Sequence, residues 1–141
     1  MPSTRNESQI TWSSSNSVTV TSATPVASDA FAFDAEDWEA DLHVYADNQG
    51  TPAAGDTADF YIAYTSGDIL GDSGDDYATT EHAEFLCRLD TYATNTPGED
   101  PAGRIVPLRT AGKGFKVIAV CAQAATRNVV VRARVITHRP Q

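Results

Sequence analysis

Period-two alternation of apolar and polar residues runs through most of this chain, and it restricts the fold to one built from half-buried strands. The pattern is clearest late in the sequence. Over residues 115–122, Phe115, Val117, Ala119 and Cys121 alternate with Lys116, Ile118, Val120 and Ala122. Over residues 128–137, Val129, Val131, Ala133 and Val135 alternate with Val130, Arg132, Arg134 and Ile136. Both runs carry apolar residues on both faces at their centres, as interior strands do. The intervening residues 123–127 fit a hairpin connection.

Earlier runs repeat the theme. Residues 17–21 read Ser-Val-Thr-Val-Thr, and Phe31 and Phe33 share one face. From 38 to 44, Trp38, Ala40, Leu42 and Val44 are expected inward, with Glu39, Asp41 and His43 toward water. Phe60, Ile62 and Tyr64 form an inward set, as do Phe85, Cys87 and Leu89, although residues 80–84 also suit a short helical turn. Pro107 confines the strand at 104–108 to an edge or a bend. Turn chemistry separates the runs, as at Asn48 to Gly50, Gly71 to Gly74 and Pro97-Gly98. No long amphipathic helix and no internal repeat is legible. The expected fold is therefore all-β, an antiparallel two-sheet β-sandwich of jelly-roll-like type. At 141 residues it forms one domain, large enough to bury a core without disulfides. Residues 17–141 are assigned to the sandwich. Residues 1–16 are a polar N-terminal arm or a first strand, with Ile10 and Trp12 as their only large apolar groups. In the arm reading these two anchor the protein to a partner.

Charge is divided along the chain. All 19 acidic residues lie in residues 1–100, against Arg5 and Arg88 alone; residues 101–141 contain eight Lys and Arg and no acid. Acidic and basic surfaces must therefore meet within one fold, between copies, or against a partner. The net charge of −9 argues against nucleic-acid binding. No apolar run reaches membrane-spanning length, and the polar residues 1–8 predict no secretory signal.

Catalytic signatures are thin. No G-x-S-x-G or HExxH motif occurs, and His43, His82 and His138 are far apart. Glu39 and Asp41 would stand about 7 Å apart on one strand face, a spacing that an inverting glycosidase uses, but a solvated strand face reads the same way. Cys87 and Cys121 sit in apolar runs and read as small buried residues, with a cross-sheet disulfide or a metal site as the alternatives. The Asp/Gly loop offers Asp68, Asp72, Asp75 and Asp76 as oxygen ligands, for which Ca2+ is the fitting ion. Its spacing is not that of an EF-hand, and Asp and Gly also suit any exposed turn. The expectation is a non-enzymatic protein without a cofactor. Arg132 and Arg134 share a face of the last strand, with Lys116 on the strand before it, and are expected to face acids across a sheet or on a partner.

Residues 41–138 resemble small virion proteins of tailed bacteriophages. The likeness is carried by DNQGTPAAGDTADFYIAYTSGDILGDSGDDYATTEHAEFLCRLDT and by NTPGEDPAGRIVPLRTAGKGFKVIAVCAQAATRNVVVRARVITHRPQ. In such proteins an Asp-x-x-Gly turn, an Asp/Gly loop, a Tyr-x-Thr-x-Glu-His element and a Lys-Gly-Phe-Lys strand precede a final Arg-containing strand. They are similar to head decoration, or cement, proteins, which bind the outside of the capsid lattice. The resemblance implies a virion protein on the capsid exterior, made in the host cytoplasm. It also implies the phage major capsid protein as partner and a homo-oligomer, a trimer by analogy. The alternative is a glycan- or receptor-binding sandwich of a phage tail or baseplate.

Overall fold

The computed structural model describes residues 3–21, 24–48, 55–65, 83–91, 102–122 and 128–140. Among these residues ten strands follow in order: β1 (Ser3–Gln9), β2 (Val18–Thr21), β3 (Val26–Ala27), β4 (Phe31–Ala32), β5 (Glu39–Asn48), β6 (Thr57–Thr65), β7 (Glu84–Asp90), β8 (Ala102–Leu108), β9 (Gly114–Ala122) and β10 (Asn128–Pro140). They form two antiparallel five-stranded sheets. In the first, the order is β1-β10-β5-β8, and β2 continues the β1 side of β10. In the second, the order is β3-β9-β6-β7, and β4 continues the β3 side of β9. The β-sandwich expected from the alternation is the fold observed.

The core lies between the sheets. On β5, Ala40, Leu42, Val44 and Ala46 are buried while their neighbours reach water. They face Phe60, Ile62, Phe115, Val117 and Cys121 of the second sheet within one apolar cluster. Full burial of such side chains contributes about 1.5–3 kcal/mol each. Phe31, Phe33 and Phe115 meet at ring-centroid distances of 5.3 to 5.7 Å, so β4 closes one end of the core. At the end of β5, buried Asn48 donates to Asp56 Oδ2 at 3.2 Å, which ties the first sheet to the entry of β6.

Several expectations are corrected. Ile10 and Trp12 are core residues, 1% and 2% exposed, and not surface anchors. β1 pairs along β10 from Ser3 to Gln9, and Ile10 N continues that ladder to Ala133 O at 2.9 Å. The chain then reverses in a two-residue turn closed by Trp12 and Ser15, with φ of 49° at Ser13 and 67° at Ser14. Asp29 braces it, accepting from Ser14 N and from the Thr11 hydroxyl.

The hairpin read between β9 and β10 is also corrected. β9 pairs with β3, β4 and β6, β10 with β1, β2 and β5, so the two lie in different sheets. Residues 123–127 lie outside the described residues. Trp38 precedes the first rung of β5 and is 61% exposed, so strand parity does not govern it. Phe85 is 56% exposed, because a bulge at Leu86 shifts the register: Cys87 pairs with Phe60, whereas Phe85 pairs with Tyr61. One extra residue reverses the facing of everything beyond it. Pro107 does sit on an edge, since among the described residues β8 pairs with β5 alone.

Candidate interaction surface

The outer face of the first sheet gathers the residues singled out for their charge. Register places Arg132 opposite Tyr45, Arg134 opposite His43, Ile136 opposite Asp41 and His138 opposite Glu39. On the far side of β5, Tyr45 faces Gly103, His43 faces Ile105 and Asp41 faces Pro107. On the near side, Glu7 of β1 faces Ile136, and Gln9 faces Arg134. Acids from the first hundred residues thus flank Arg134, one of the ways in which the divided charge can be met. Lys116 does not join them, because β9 belongs to the other sheet.

These groups differ in how far they are satisfied. Arg134 approaches Glu7 at 3.5 Å, and Glu7 also meets Arg5 at 2.6 Å. Arg134 Nε is buried without a hydrogen-bond partner. Arg132 is exposed and makes no ion pair with another described residue. The His43 and Tyr45 rings stack at 4.2 Å, and the Tyr45 hydroxyl lies 3.0 Å from His43 Nδ1. Desolvation, and then the charge of Arg134, hold the His43 pKa below its usual value of 6.5. A neutral ring accepts from the Tyr45 hydroxyl when its proton sits on Nε2. Tyr45 in turn lies across Gly103, its Cδ1 only 3.1 Å from where a Cβ would stand. Ile105 beside it is 57% exposed. Arginine, tyrosine and an exposed aliphatic side chain on one face make a composition typical of interface centres. The sequence showed Arg132 and Arg134 on one face, but not Tyr45 and Ile105 beside them, because register is not written in periodicity.

A second cluster caps the end of the sandwich where β4 leads into β5. Arg139 Nε donates to Asp37 Oδ1 at 2.7 Å, and its guanidinium also pairs with Asp34. The hydrogen bond to Asp37 is the main cause of a raised Arg139 pKa. Asp37 Oδ2 accepts from Asp34 N at 2.9 Å, so both its oxygens are engaged. Phe33 N donates to Lys113 O, Trp38 N to His138 O, and the Thr110 hydroxyl to Trp38 O. This loop borders a cleft of about 460 Å3 whose lining includes Ala32, Phe33, Asp34, Asp37, Thr110 and Lys113.

The remaining candidates do not converge. Among the described residues, no three His, Cys, Asp or Glu side chains are placed to hold a metal ion. Asp68, Asp72, Asp75 and Asp76 lie outside the described residues, as does His82. Glu39 and Asp41 stand on the solvent side of β5. Cys87 and Cys121 are buried free thiols on β7 and β9, strands separated by β6. Two strand spacings make about 9.6 Å, beyond the reach of a disulfide. Burial raises the pKa of both thiols, that of Cys121 to about 12.

No family model matches the chain, and no curated protein matches its sequence. Among solved structures, a chain of the acidic stable capsid of Helicobacter pylori bacteriophage KHP30 is 16% identical at a TM-score of 0.42, covering 98% of this chain and 95% of that one. A chain of the disulfide-linked pili of Bacillus endospore appendages is 10% identical at a TM-score of 0.37, covering 100% and 93%. The infectious bursal disease virus VP2 subviral particle gives 13% identity at a TM-score of 0.32, covering 97% of this chain but 41% of that one. Overlaps of this size carry no weight for fold or role, and the architecture rests on the strand registers above.

Proposed function

We propose that this protein is a structural, non-enzymatic virion component, a head decoration protein that binds the outer surface of a phage capsid lattice and braces it. The observation that carries this reading is the outer face of the first sheet, where Arg132, Tyr45 and Ile105 are presented together without a covering element among the described residues. The winding supports it. With β1 and β2 sharing one side of β10, and β3 and β4 one side of β9, the ten strands of the described residues occupy eight positions. Between these positions the chain crosses from one sheet to the other at every step except β6 to β7, which supports a jelly-roll winding, an architecture used by viral capsid and lectin domains. The sequence resemblance over residues 41–138 points the same way. The partner is the phage major capsid protein, and copies associate as a homo-oligomer, a trimer by analogy with cement proteins. Many weak symmetric contacts then add by avidity.

The test is occupancy on expanded capsids stripped of decoration protein, measured by cosedimentation. Wild type should saturate the lattice. Arg132→Glu should lower affinity at least tenfold, because an arginine at the centre of an interface contributes about 2 kcal/mol. Wild type that fails to bind overturns the function, and Arg132→Glu that binds normally overturns the choice of face. The exposed Trp38 beside a partly polar cleft favours the glycan-binding alternative. Binding on a glycan array without capsid binding would establish it instead.

A further inference from the structure

Trp38 is the most exposed of the large apolar side chains described, at 61%. An indole left in water forgoes much of the ~150–250 Å2 that an aromatic side chain ordinarily buries. Its backbone is nevertheless fixed, donating to His138 O at 3.1 Å and accepting from the Thr110 hydroxyl at 3.2 Å. The side chain is therefore displayed from a held position rather than from a loose loop.

The cleft of about 460 Å3 lies directly beside it. Asp37, the preceding residue, and Thr110, its hydrogen-bond partner, both line that cleft, while Trp38 itself does not. Ala32, Phe33, Ala35 and Ala111 line it together with Asp34 and Asp37, whose carboxylates pair with Arg139. Lys113 also lines the cleft, is exposed, and makes no ion pair with a described residue. Glu36 and Glu39 flank Trp38, also exposed and also without an ion pair to a described residue. The molecule thus places an aromatic projection bordered by acids next to a recess in which Lys113 carries a charge without an ion pair among the described residues.

We propose that Trp38 of one copy enters the cleft of a second copy of this chain, with Glu36 and Glu39 meeting Lys113 of the receiving cleft. Glu36 and Glu39 are opposite in charge to Lys113. The projection comes from the acidic part of the chain and Lys113 from the basic part, which gives the divided charge a physical use. Projection and recess adjoin each other, so a rotation axis between copies closes the contact. The inference rests on the homo-oligomer of the proposed function and not on capsid binding.

Light scattering and tryptophan fluorescence of the full chain over a dilution series test it. Trp12 is buried and Trp38 exposed, so the difference between wild type and Trp38→Phe isolates the emission of Trp38. That emission should shift to the blue as the oligomer forms. Trp38→Ala and Lys113→Glu should each weaken self-association by about 30-fold, as expected of an interface hot spot. Both sites are exposed, so the melting temperature of the monomer should stay close to that of wild type. Mixing Lys113→Glu with the double variant Glu36→Lys/Glu39→Lys should restore association between the two. Wild type that stays monomeric at every concentration, Trp38→Ala that assembles normally, or Trp38 emission unchanged on assembly overturns the contact. A monomeric Trp38→Ala supports it whether or not that variant decorates capsids. Failure of wild type to bind capsids overturns the function proposed above and leaves this contact untouched.

Discussion

Adding one methyl group at Gly114 should displace a whole strand. A Cβ at that position falls 2.2 Å from Phe31 O, 3.1 Å from Phe31 C and 3.2 Å from Ala32 Cα. All three are backbone atoms of β4, so no side-chain rotation relieves the contact. Reaching an ordinary carbon–oxygen separation of about 3.3 Å requires β4 to move by about 1 Å. Overpacking of this kind costs about 1–3 kcal/mol. The movement also loosens Phe31 from Phe33 and Phe115, now at 5.7 and 5.3 Å, and each such aromatic pair contributes about 0.5–1.5 kcal/mol. With part of that packing lost, Gly114→Ala should destabilise by about 2–4 kcal/mol. For a domain of this length the melting temperature should fall by roughly 6–16 °C. Gly103→Ala is the control. Its Cβ meets the Tyr45 ring at 3.1 Å, a side chain that can swing aside, so the cost should stay under about 1 kcal/mol. Urea midpoints for both variants, followed by circular dichroism, decide the matter. Replacing Gly by Ala stabilises by about 0.4–1 kcal/mol where the backbone tolerates it. A Gly114→Ala midpoint equal to that of Gly103→Ala would therefore refute the claim that β4 is locked against β9.

Three further outcomes are expected. The lowered pKa of His43 means that the unfolded chain takes up a proton first as pH falls, so this residue's contribution is present above 6.5 and lost as pH drops through the folded value; His43→Gln should flatten the pH dependence of the melting temperature between about pH 7 and 5, and an unchanged slope would count against the assignment. Cys87 and Cys121 should resist a thiol reagent in the native protein at about pH 8 and react fully in urea, since burial keeps both protonated; a fast-reacting native thiol would contradict their placement. Ser14→Gly should stabilise by about 0.5–1 kcal/mol, because left-handed backbone there favours glycine, and a lower urea midpoint would show that the turn differs from the one described.

Alternation told which residues face the core with good fidelity where strands are long and regular. Ala40, Leu42 and Val44, and Val129 to Val135 at every second position, are buried as the pattern requires. It failed at two places for definite reasons. Leu86 bulges, and Trp38 lies beyond the first rung of β5, so in neither case does counting by twos continue to hold. Alternation also assigns faces without assigning neighbours. Proximity in sequence suggested that β9 and β10 form a hairpin, yet they occupy opposite sheets. For the same reason the arginines of β10 were legible as a charged row, while their setting among His43, Tyr45 and Ile105 was not. The Ser13-Ser14 reversal was invisible because neither residue is the Gly, Asn or Asp that usually marks a turn of left-handed backbone.

The central position of β10 has a consequence for synthesis. It pairs with β1, β2 and β5, all made well before it. Translation proceeds at about 5–20 residues per second, so β5 waits roughly 5–20 s for its neighbour to emerge. During that interval β5 lacks its β10 partner, and an unpaired strand edge is a template for joining other nascent chains. The yield of soluble protein should therefore depend on how quickly ribosomes complete residues 128–140, and a stall before residue 128 leaves a chain whose first sheet has no middle.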